Sequence, residues 1–297
     1  MDVIYQPLRD IKKIFENNFP VYWERIFHRV VDHTVVANNG IKVVSKADIK
    51  DLDNLKREIK KWEKEICAYR DYMKEILDLN LFDRTYSDSY SPQEFKDDIF
   101  ANELWTVKGA LKSPDPDLKL YKSNFYSTTP MDIFVVVEKI LTSSRKYMLN
   151  ITPSLSLKMI NQVEQLNMDF LEEEGMLLTG VIGLGIRSEM LHRLYPSHFA
   201  IMTRRSLWGM FYLSDEAEEF VVDEDNDIGQ QRTSSNWEYD YQRFCFLNNF
   251  IANLIEDSLL KSGINMNQNL RFGYVNMFLN QIFSQHSSQI AVNMRWK

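Results

Sequence analysis

The stretch that decides the fold reads TGVIGLGIRSEMLHRLYPSHFAIMTRRSLWGMF and covers residues 179–211. It places Gly180, Gly183 and Gly185 directly before a run of residues with helical spacing. Because glycine adopts backbone conformations that other residues avoid, this pattern predicts a tight reversal that leads into a helix beginning near Ile186. Two interpretations are open: the reversal seats a phosphate group, or it only lets two helices pack on each other.

Charged side chains around the reversal favour an anion. Residues 187–205 carry four arginines and a single carboxylate, Glu189, and His192 and His198 add hydrogen-bond donors when they are protonated. Unpaired amides at the start of a helix attract negative charge, and arginine pairs well with phosphate. The predicted phosphate-binding residues are Gly183, Gly185, Ile186, Arg187, Ser188, Arg204 and Arg205.

The motif L-x-G-V-I-G-L-G-I-R-S-E-M-L, residues 178–191, resembles the helix-hairpin-helix of the base-excision DNA glycosylase superfamily, with Ile182-Gly183-Leu184-Gly185 as the hairpin. The following LHRLYPSHFAIMTRRSLWGM, residues 191–210, is similar to the segment after the hairpin in divergent members. Similar stretches occur in helical domains of bacterial restriction and phage-defence proteins. The resemblance implies contacts to the DNA backbone and a role in such a system.

Two departures from the family pattern bear on catalysis. Thr203 stands where active members carry an aspartate, and Arg187 aligns with the nucleophilic lysine of the bifunctional members. An arginine stays protonated and cannot act as an amine nucleophile. We therefore expect a DNA-binding, non-catalytic component. The alternatives are a divergent glycosylase or lyase that takes its carboxylate from Asp215 or Glu216, and a helical adaptor or assembly subunit.

The most regular pattern in the chain lies further towards the N-terminus. Apolar residues alternate in steps of three and four along residues 52–76, and they are Leu52, Leu55, Ile59, Trp62, Ile66, Tyr69, Met73 and Ile76. This spacing predicts a coiled-coil-like helix over residues 46–79. The helix either lies on the core of its own domain or forms a seam for self-association or for a protein partner.

These elements together predict a mainly α protein in two parts. Residues 1–120 form a helical N-terminal module with the long heptad helix and a small β-hairpin around Asn38-Asn39-Gly40. Residues 129–297 form a helix-hairpin-helix-like α domain. Between them, residues 80–128 are polar and broken, with an exposed loop at residues 113–117 and a soft domain boundary near residues 120–128.

Proline and threonine mark further helix boundaries. Pro20 is expected to divide the N-terminal helical pattern into two helices. Thr129-Pro130 and Thr152-Pro153 each combine a capping threonine with a proline in the first turn. They predict helices that run to about Leu141 and Leu166, and a further short helix is expected over residues 167–176.

Composition limits the remaining function classes. The formal net charge is -7, so any DNA contact must come from a local basic patch. Cys67 and Cys245 are the only cysteines and are too few for a disulfide framework or a zinc site. We expect no metal and no cofactor. The N-terminus lacks a signal-peptide pattern and no apolar run is long enough for a membrane helix, so we expect a cytoplasmic protein without a membrane partner.

Overall fold

The computed structural model describes residues 8–27, 46–83, 85, 88–150, 157–173, 175–217, 220 and 241–293. The predicted mainly α class is confirmed. The α-helices are Leu8–Phe27 (α1), Lys46–Ile76 (α2), Pro92–Glu94 (α3), Ala101–Glu103 (α4), Trp105–Lys112 (α5), Lys119–Ser127 (α6), Pro130–Asn150 (α7), Leu184–Leu194 (α8), Arg204–Leu213 (α9), Tyr241–Lys261 (α10), Arg271–Gln285 (α11) and Ser287–Asn293 (α12). The predicted hairpin around Asn38-Asn39-Gly40 lies outside the described residues and is not confirmed.

Helix α1 runs through Pro20 without a break, so the predicted division into two helices is wrong. A proline inside a helix removes a hydrogen bond and costs about 3 kcal/mol. Here the burial of aromatic side chains on both sides of the proline offsets that cost. Phe15 and Phe19 precede Pro20 in the core, and Trp23 and Phe27 follow it.

The predicted long helix is confirmed as α2, and its apolar seam is buried by helices of the same chain. Trp62 is 2% exposed and its ring lies 5.3 Å from that of Phe27 in α1. On the opposite side of the seam, a Cβ added at Gly273 of α11 would stand 2.9 Å from Ile66. This arrangement matches the interpretation of α2 as an amphipathic helix on its own core. A coiled-coil seam between chains is not supported.

Residues 92–127 contain much more helix than their polar sequence suggests. A π-helical turn, Phe95–Phe100, joins α3 to α4, and α5 and α6 follow. Phe95 and Phe100 are buried, and the ammonium group of Lys96 donates to the carbonyl oxygen of Thr128 at 2.7 Å. A few large aromatic anchors therefore hold a segment whose other side chains are mostly polar.

The threonine cap of α7 is confirmed, because the Thr129 hydroxyl oxygen accepts a hydrogen bond from the amide of Asp132 at 3.2 Å. The helices predicted after it are wrong in the described residues. The chain instead forms short 3-10 turns, namely Leu157–Met159, Val163–Leu166 and Asp169–Glu172. Side chains from other helices satisfy this backbone, as when Tyr147 of α7 donates to the Leu166 carbonyl oxygen at 2.7 Å.

A single hydrophobic cluster extends from Ile11 in α1 to Ile290 in α12. Helix α1 packs on α9 and α10, and α2 packs on α8 and α11. The two predicted modules therefore share one core in the described part of the chain. The predicted boundary near residues 120–128 coincides with α6, which contributes Tyr121 and Phe125 to that core.

Helices α9 and α11 approach each other most closely at Gly209. A Cβ added at Gly209 would stand 2.6 Å from the carbonyl oxygen of Leu279 and 2.9 Å from its Cβ. Only glycine leaves room for this contact between a helix and the backbone of its neighbour. The C-terminal end of α9 is held by α1, because Asn18 donates to the Leu213 carbonyl oxygen at 3.1 Å and Tyr22 donates to that of Tyr212 at 3.4 Å.

A buried arginine joins α10 to α11. Arg271 is 1% exposed, and its guanidinium donates to the side-chain oxygens of Asn249 at 2.9 Å and of Glu256 at 3.2 Å. The same group also donates to Gln268 at 3.1 Å and to Asn253. Each charged or polar group in this network thus has a partner, which is the condition for burying it without a large cost.

Candidate functional site

The reversal before α8 is made by residues 178–182. The amide of Ile182 donates to the Leu178 carbonyl oxygen at 2.8 Å, and the amide of Leu178 donates back at 3.1 Å. Gly180 has a φ of 75°, which is the left-handed region that favours glycine. Gly183 is extended at φ -95° and precedes α8, and Gly185 lies inside the first turn of that helix. The reversal is therefore centred earlier than predicted, and it depends on Gly180.

The segment before the reversal is a 3-10 turn, Asp169–Glu172, and the longer helix expected over residues 167–176 is not formed. Asn167 adopts a φ of 52°, which interrupts any helix at that point. The first helix of a helix-hairpin-helix is therefore not confirmed. The second helix is present as α8, two residues earlier than expected.

Two of the predicted phosphate-binding side chains turn into the interior. Arg187 is 2% exposed, and its guanidinium donates to the carbonyl oxygen of Leu171. The hydroxyl of Ser188 donates to the Gly185 carbonyl oxygen at 3.0 Å and accepts from the Met202 amide at 2.9 Å. These side chains fasten α8 to its neighbours. The backbone of residues 183–186 begins α8, and Ile186 itself is buried.

Arg204 and Arg205 occupy the first turn of α9 and are both exposed. Thr203 and Ser206 form a capping box at this end of the helix, in which the Thr203 amide donates to the Ser206 hydroxyl oxygen at 2.9 Å. Both arginines line a cleft of ≈ 390 Å³. Residues 183–186 do not line this cleft. The structure therefore does not bring the predicted turn and the predicted arginine pair into one pocket.

Five helices supply the walls of the cleft. The polar, charged and aromatic side chains that matter most are Glu65 and Tyr69 of α2, Trp105 and Thr106 of α5, Glu189, His192 and Arg193 of α8, Arg204 and Arg205 of α9, and Asn276 and Asn280 of α11. They come from sequence positions more than 200 residues apart, so only the tertiary fold assembles them.

Glu189 anchors one wall of the cleft. Its side chain is 1% exposed and accepts hydrogen bonds from the amides of Trp105 at 3.0 Å and of Thr106 at 2.9 Å. These amides open α5, where a helix favours a negative charge. The carboxylate also accepts from Nε of Arg193 at 3.1 Å. A single buried carboxylate therefore fixes the start of α5 against the middle of α8.

Arg193 is held between two aromatic rings at the same wall. Its guanidinium carbon lies 4.7 Å from the ring centroid of Tyr69 and 4.7 Å from that of Trp105. The two rings meet edge to face, with centroids 4.7 Å apart and an interplanar angle of 89°. Cation–π contacts of this kind orient both partners. Trp105 nevertheless stays 50% exposed at the mouth of the cleft.

Burial lowers the pKa of His192 to about 4, and it lowers the pKa of His198 to about 4 as well. Both rings are therefore neutral at pH 7 and add no positive charge. Nδ1 of His192 donates to the Phe199 carbonyl oxygen at 2.7 Å, which leaves Nε2 as the unprotonated nitrogen. The positive charge of the cleft comes from Arg193, Arg204 and Arg205, against the carboxylates of Glu65 and Glu189.

The carboxylates considered for a glycosylase-like reaction lie elsewhere. Asp215 and Glu216 follow the C-terminal end of α9, whereas Arg204 and Arg205 begin it. A helix of this length spans about 15 Å. Asp215 and Glu216 have φ values of 60° and 62°, so both are left-handed, and neither is among the residues described along the cleft.

The aromatic and acidic half of the cleft was not predicted from the sequence. The spacing of four between Glu189 and Arg193 is a recognisable signal for a helical ion pair. Nothing in the local sequence links that pair to Trp105 or Tyr69, because these contacts cross 84 and 124 residues of chain respectively.

Comparison of the chain with protein-family models, with curated proteins and with solved structures finds no match. Within the described ranges, no three His, Cys, Asp or Glu side chains cluster closely enough to hold a metal ion. Cys67 and Cys245, both in the described part of the chain, do not form a disulfide bond. None of the helices in the described part of the chain has the length and apolar character needed to span a bilayer.

Proposed function

We propose that this protein binds DNA through the sugar–phosphate backbone and that Arg204 and Arg205 contact the phosphates. The observation that carries the proposal is the exposure of two adjacent arginines on the first turn of α9, at the edge of a cleft. An arginine pairs with phosphate through two parallel hydrogen bonds, and the start of a helix adds a favourable dipole.

Because the whole chain is acidic, a local pair of exposed arginines is the feature that can attract DNA. With a formal net charge of -7, the protein has no general attraction for DNA. Binding must then depend on few phosphate contacts, and its affinity should fall as salt rises. Contacts to phosphate position a protein without reading the base sequence, so the binding should be similar for different sequences.

We further propose that binding at the cleft, and not bond cleavage, is the function of this site. Glu189, the buried carboxylate of the cleft, already accepts three hydrogen bonds from the protein. Asp215 and Glu216 lie at the other end of α9. A role in a restriction or phage-defence system is part of the proposal and is supported by the resemblance of residues 178–211 alone.

The test compares two double variants that lose the same charge. Arg204→Ala/Arg205→Ala removes the proposed contacts, and Lys56→Ala/Lys60→Ala removes two exposed cations of α2 that do not line the cleft. Fluorescence anisotropy with a labelled duplex gives the affinity at salt concentrations between about 50 and 200 mM.

The arginine variant should bind every duplex more weakly, and its plot of log affinity against log salt should be shallower by about 2. The lysine variant should behave like the wild type. If both variants bind as the wild type does, or lose the same affinity, Arg204 and Arg205 are not the phosphate contacts.

A further inference from the structure

We infer that the cleft accepts an unpaired nucleobase, so that the protein prefers single-stranded DNA to a duplex. This inference rests on the proposed DNA binding and adds the class of ligand that the cleft selects. It depends on three features of the cleft: an exposed aromatic ring, a wall of amide side chains, and a volume suited to one base.

Trp105 is the aromatic platform. Trp105 lines the cleft and is 50% exposed, yet its backbone and its ring are both held in place. The backbone amide is bound by Glu189 at 3.0 Å, and the ring is held by Arg193 and by the edge contact with Tyr69. A base that stacks on this ring therefore meets an oriented surface. Stacking on such a ring requires an unpaired or unstacked base, because the faces of bases in a duplex are covered by their neighbours.

Two amides from successive turns of α11 also line the cleft. Nδ2 of Asn280 lies 3.2 Å from Oδ1 of Asn276 and donates to it. This pairing leaves the Asn280 oxygen as an acceptor and the Asn276 NH2 group as a donor. The Watson–Crick edge of every base combines donors and acceptors, and base pairing hides that edge in a duplex. The two amides are consequently suited to an unpaired base and can serve more than one base type.

The size and charge of the cleft agree with this ligand. Its volume of ≈ 390 Å³ lies within the range of about 300–1,000 Å³ that is typical of small-molecule sites. It is large enough to hold one base in contact with the tryptophan and the amides that line it. Arg204 and Arg205 lie on the same cleft, where they can bind the phosphates on either side of the inserted nucleotide. Duplex backbone binding alone would leave the aromatic and amide walls without a role.

The experiment measures affinity for a labelled single strand of about 15 nucleotides and for the same strand in a duplex. The proteins are the wild type, Trp105→Ala, Trp105→Phe and the double variant Arg204→Ala/Arg205→Ala. Tyr126→Ala is the matched aromatic control, because Tyr126 is 69% exposed on α6 and is not among the residues described along the cleft. Circular dichroism and thermal unfolding establish that each variant is folded.

The wild type should bind the single strand more tightly than the duplex. Trp105→Ala should lose about fivefold or more in affinity for the single strand, with little change for the duplex. Trp105→Phe, which keeps a smaller ring, should lose less than Trp105→Ala, and Tyr126→Ala should bind as the wild type does. A second measurement does not need the alanine variant to fold. Single-stranded DNA should quench part of the tryptophan fluorescence of the wild type, and this part should be missing in Trp105→Phe.

Four results separate this inference from the proposed function. Equal affinity of the wild type for the single strand and the duplex overturns the inference. So does a normal quench in Trp105→Phe. If Arg204→Ala/Arg205→Ala weakens binding to both ligands while Trp105→Ala changes neither, the inference fails and the proposed backbone binding stands. If the arginine variant weakens neither, the proposed function itself fails.

Discussion

Gly209 of α9 lies directly against the backbone of Leu279 in α11, and a Cβ added at the glycine would stand 2.6 Å from the Leu279 carbonyl oxygen. A backbone atom cannot move aside as the end of a flexible side chain can. Gly209→Ala should therefore lower the free energy of unfolding by about 2 kcal/mol, measured by urea denaturation.

Gly109 provides a matched control, in which the same substitution should raise stability. It lies exposed inside α5, and nothing stands within 4 Å of a Cβ added there. Gly109→Ala should raise the free energy of unfolding by about 0.5–1 kcal/mol, because alanine loses less backbone entropy in a helix. Equal effects of the two substitutions would contradict the close contact between α9 and α11.

Removal of the Glu189 carboxylate should destabilise the protein. In Glu189→Ala, the amides of Trp105 and Thr106 lose their acceptor and the largely buried Arg193 loses its counter-ion. We expect a loss of about 3 kcal/mol in unfolding free energy, measured by urea denaturation. Glu24→Ala, at an exposed position of α1, should change stability by less than about 0.5 kcal/mol. A loss for Glu189→Ala as small as that of the control would show that the carboxylate does not anchor α5.

The stability of the protein should fall between pH 6.5 and about pH 4 because of His192. Burial lowers its pKa from 6.5 to about 4, so in this range the unfolded chain binds a proton that the folded chain does not. The neutral ring thus contributes up to about 3 kcal/mol of stability at pH 7, and acid removes this contribution. Urea denaturation at a series of pH values should show a smaller fall for His192→Gln than for the wild type. Parallel pH profiles would contradict the lowered pKa of His192.

Arg271 should be irreplaceable even by lysine. Its guanidinium serves Asn249, Glu256 and Gln268 at once, while it is only 1% exposed. A lysine carries the same charge but cannot reproduce this planar fork, so Arg271→Lys should cost about 3 kcal/mol of unfolding free energy. Arg57→Lys is the control, since the Arg57 side chain is 73% exposed. Thermal unfolding of both variants checks the expectation, and a similar melting temperature for the two would refute it.

Elements with strong periodicity could be predicted from the sequence. The apolar spacing of α2 indicates one buried face, and the Thr129-Pro130 cap marks the start of α7. Residues 157–172 were mispredicted as helix because their backbone groups bind side chains of α7 and α10. The local sequence contains no sign of those partners.

The site was harder to predict than the fold because α8 is buried nearly all round. Residues 186–192 of this helix are all buried, among them the charged Arg187 and Glu189. Arg187 was assigned to phosphate from the excess of arginine beside the glycine reversal, and its burial cannot be recognised from charge alone. The exposed pair at Arg204 and Arg205 could be identified from charge, but the opposite walls of the cleft depend on contacts distant in the chain.

Through the two hydrogen bonds from Asn18 and Tyr22, α1 supports the helix that carries the arginines of the cleft, although α1 itself lies away from them. They satisfy carbonyl groups at the last turn of α9, while the arginines of the cleft occupy its first turn. Truncation of the chain before α2 would remove both side-chain donors and leave the Tyr212 carbonyl oxygen with the Asp215 amide, at 3.3 Å, as its donor. The last turn of α9 would then be held less firmly. The affinity of Arg204 and Arg205 for an anion would then change, although the deleted residues do not contact the ligand. Loss of binding in an N-terminal deletion would therefore not show that the deleted residues form the interface.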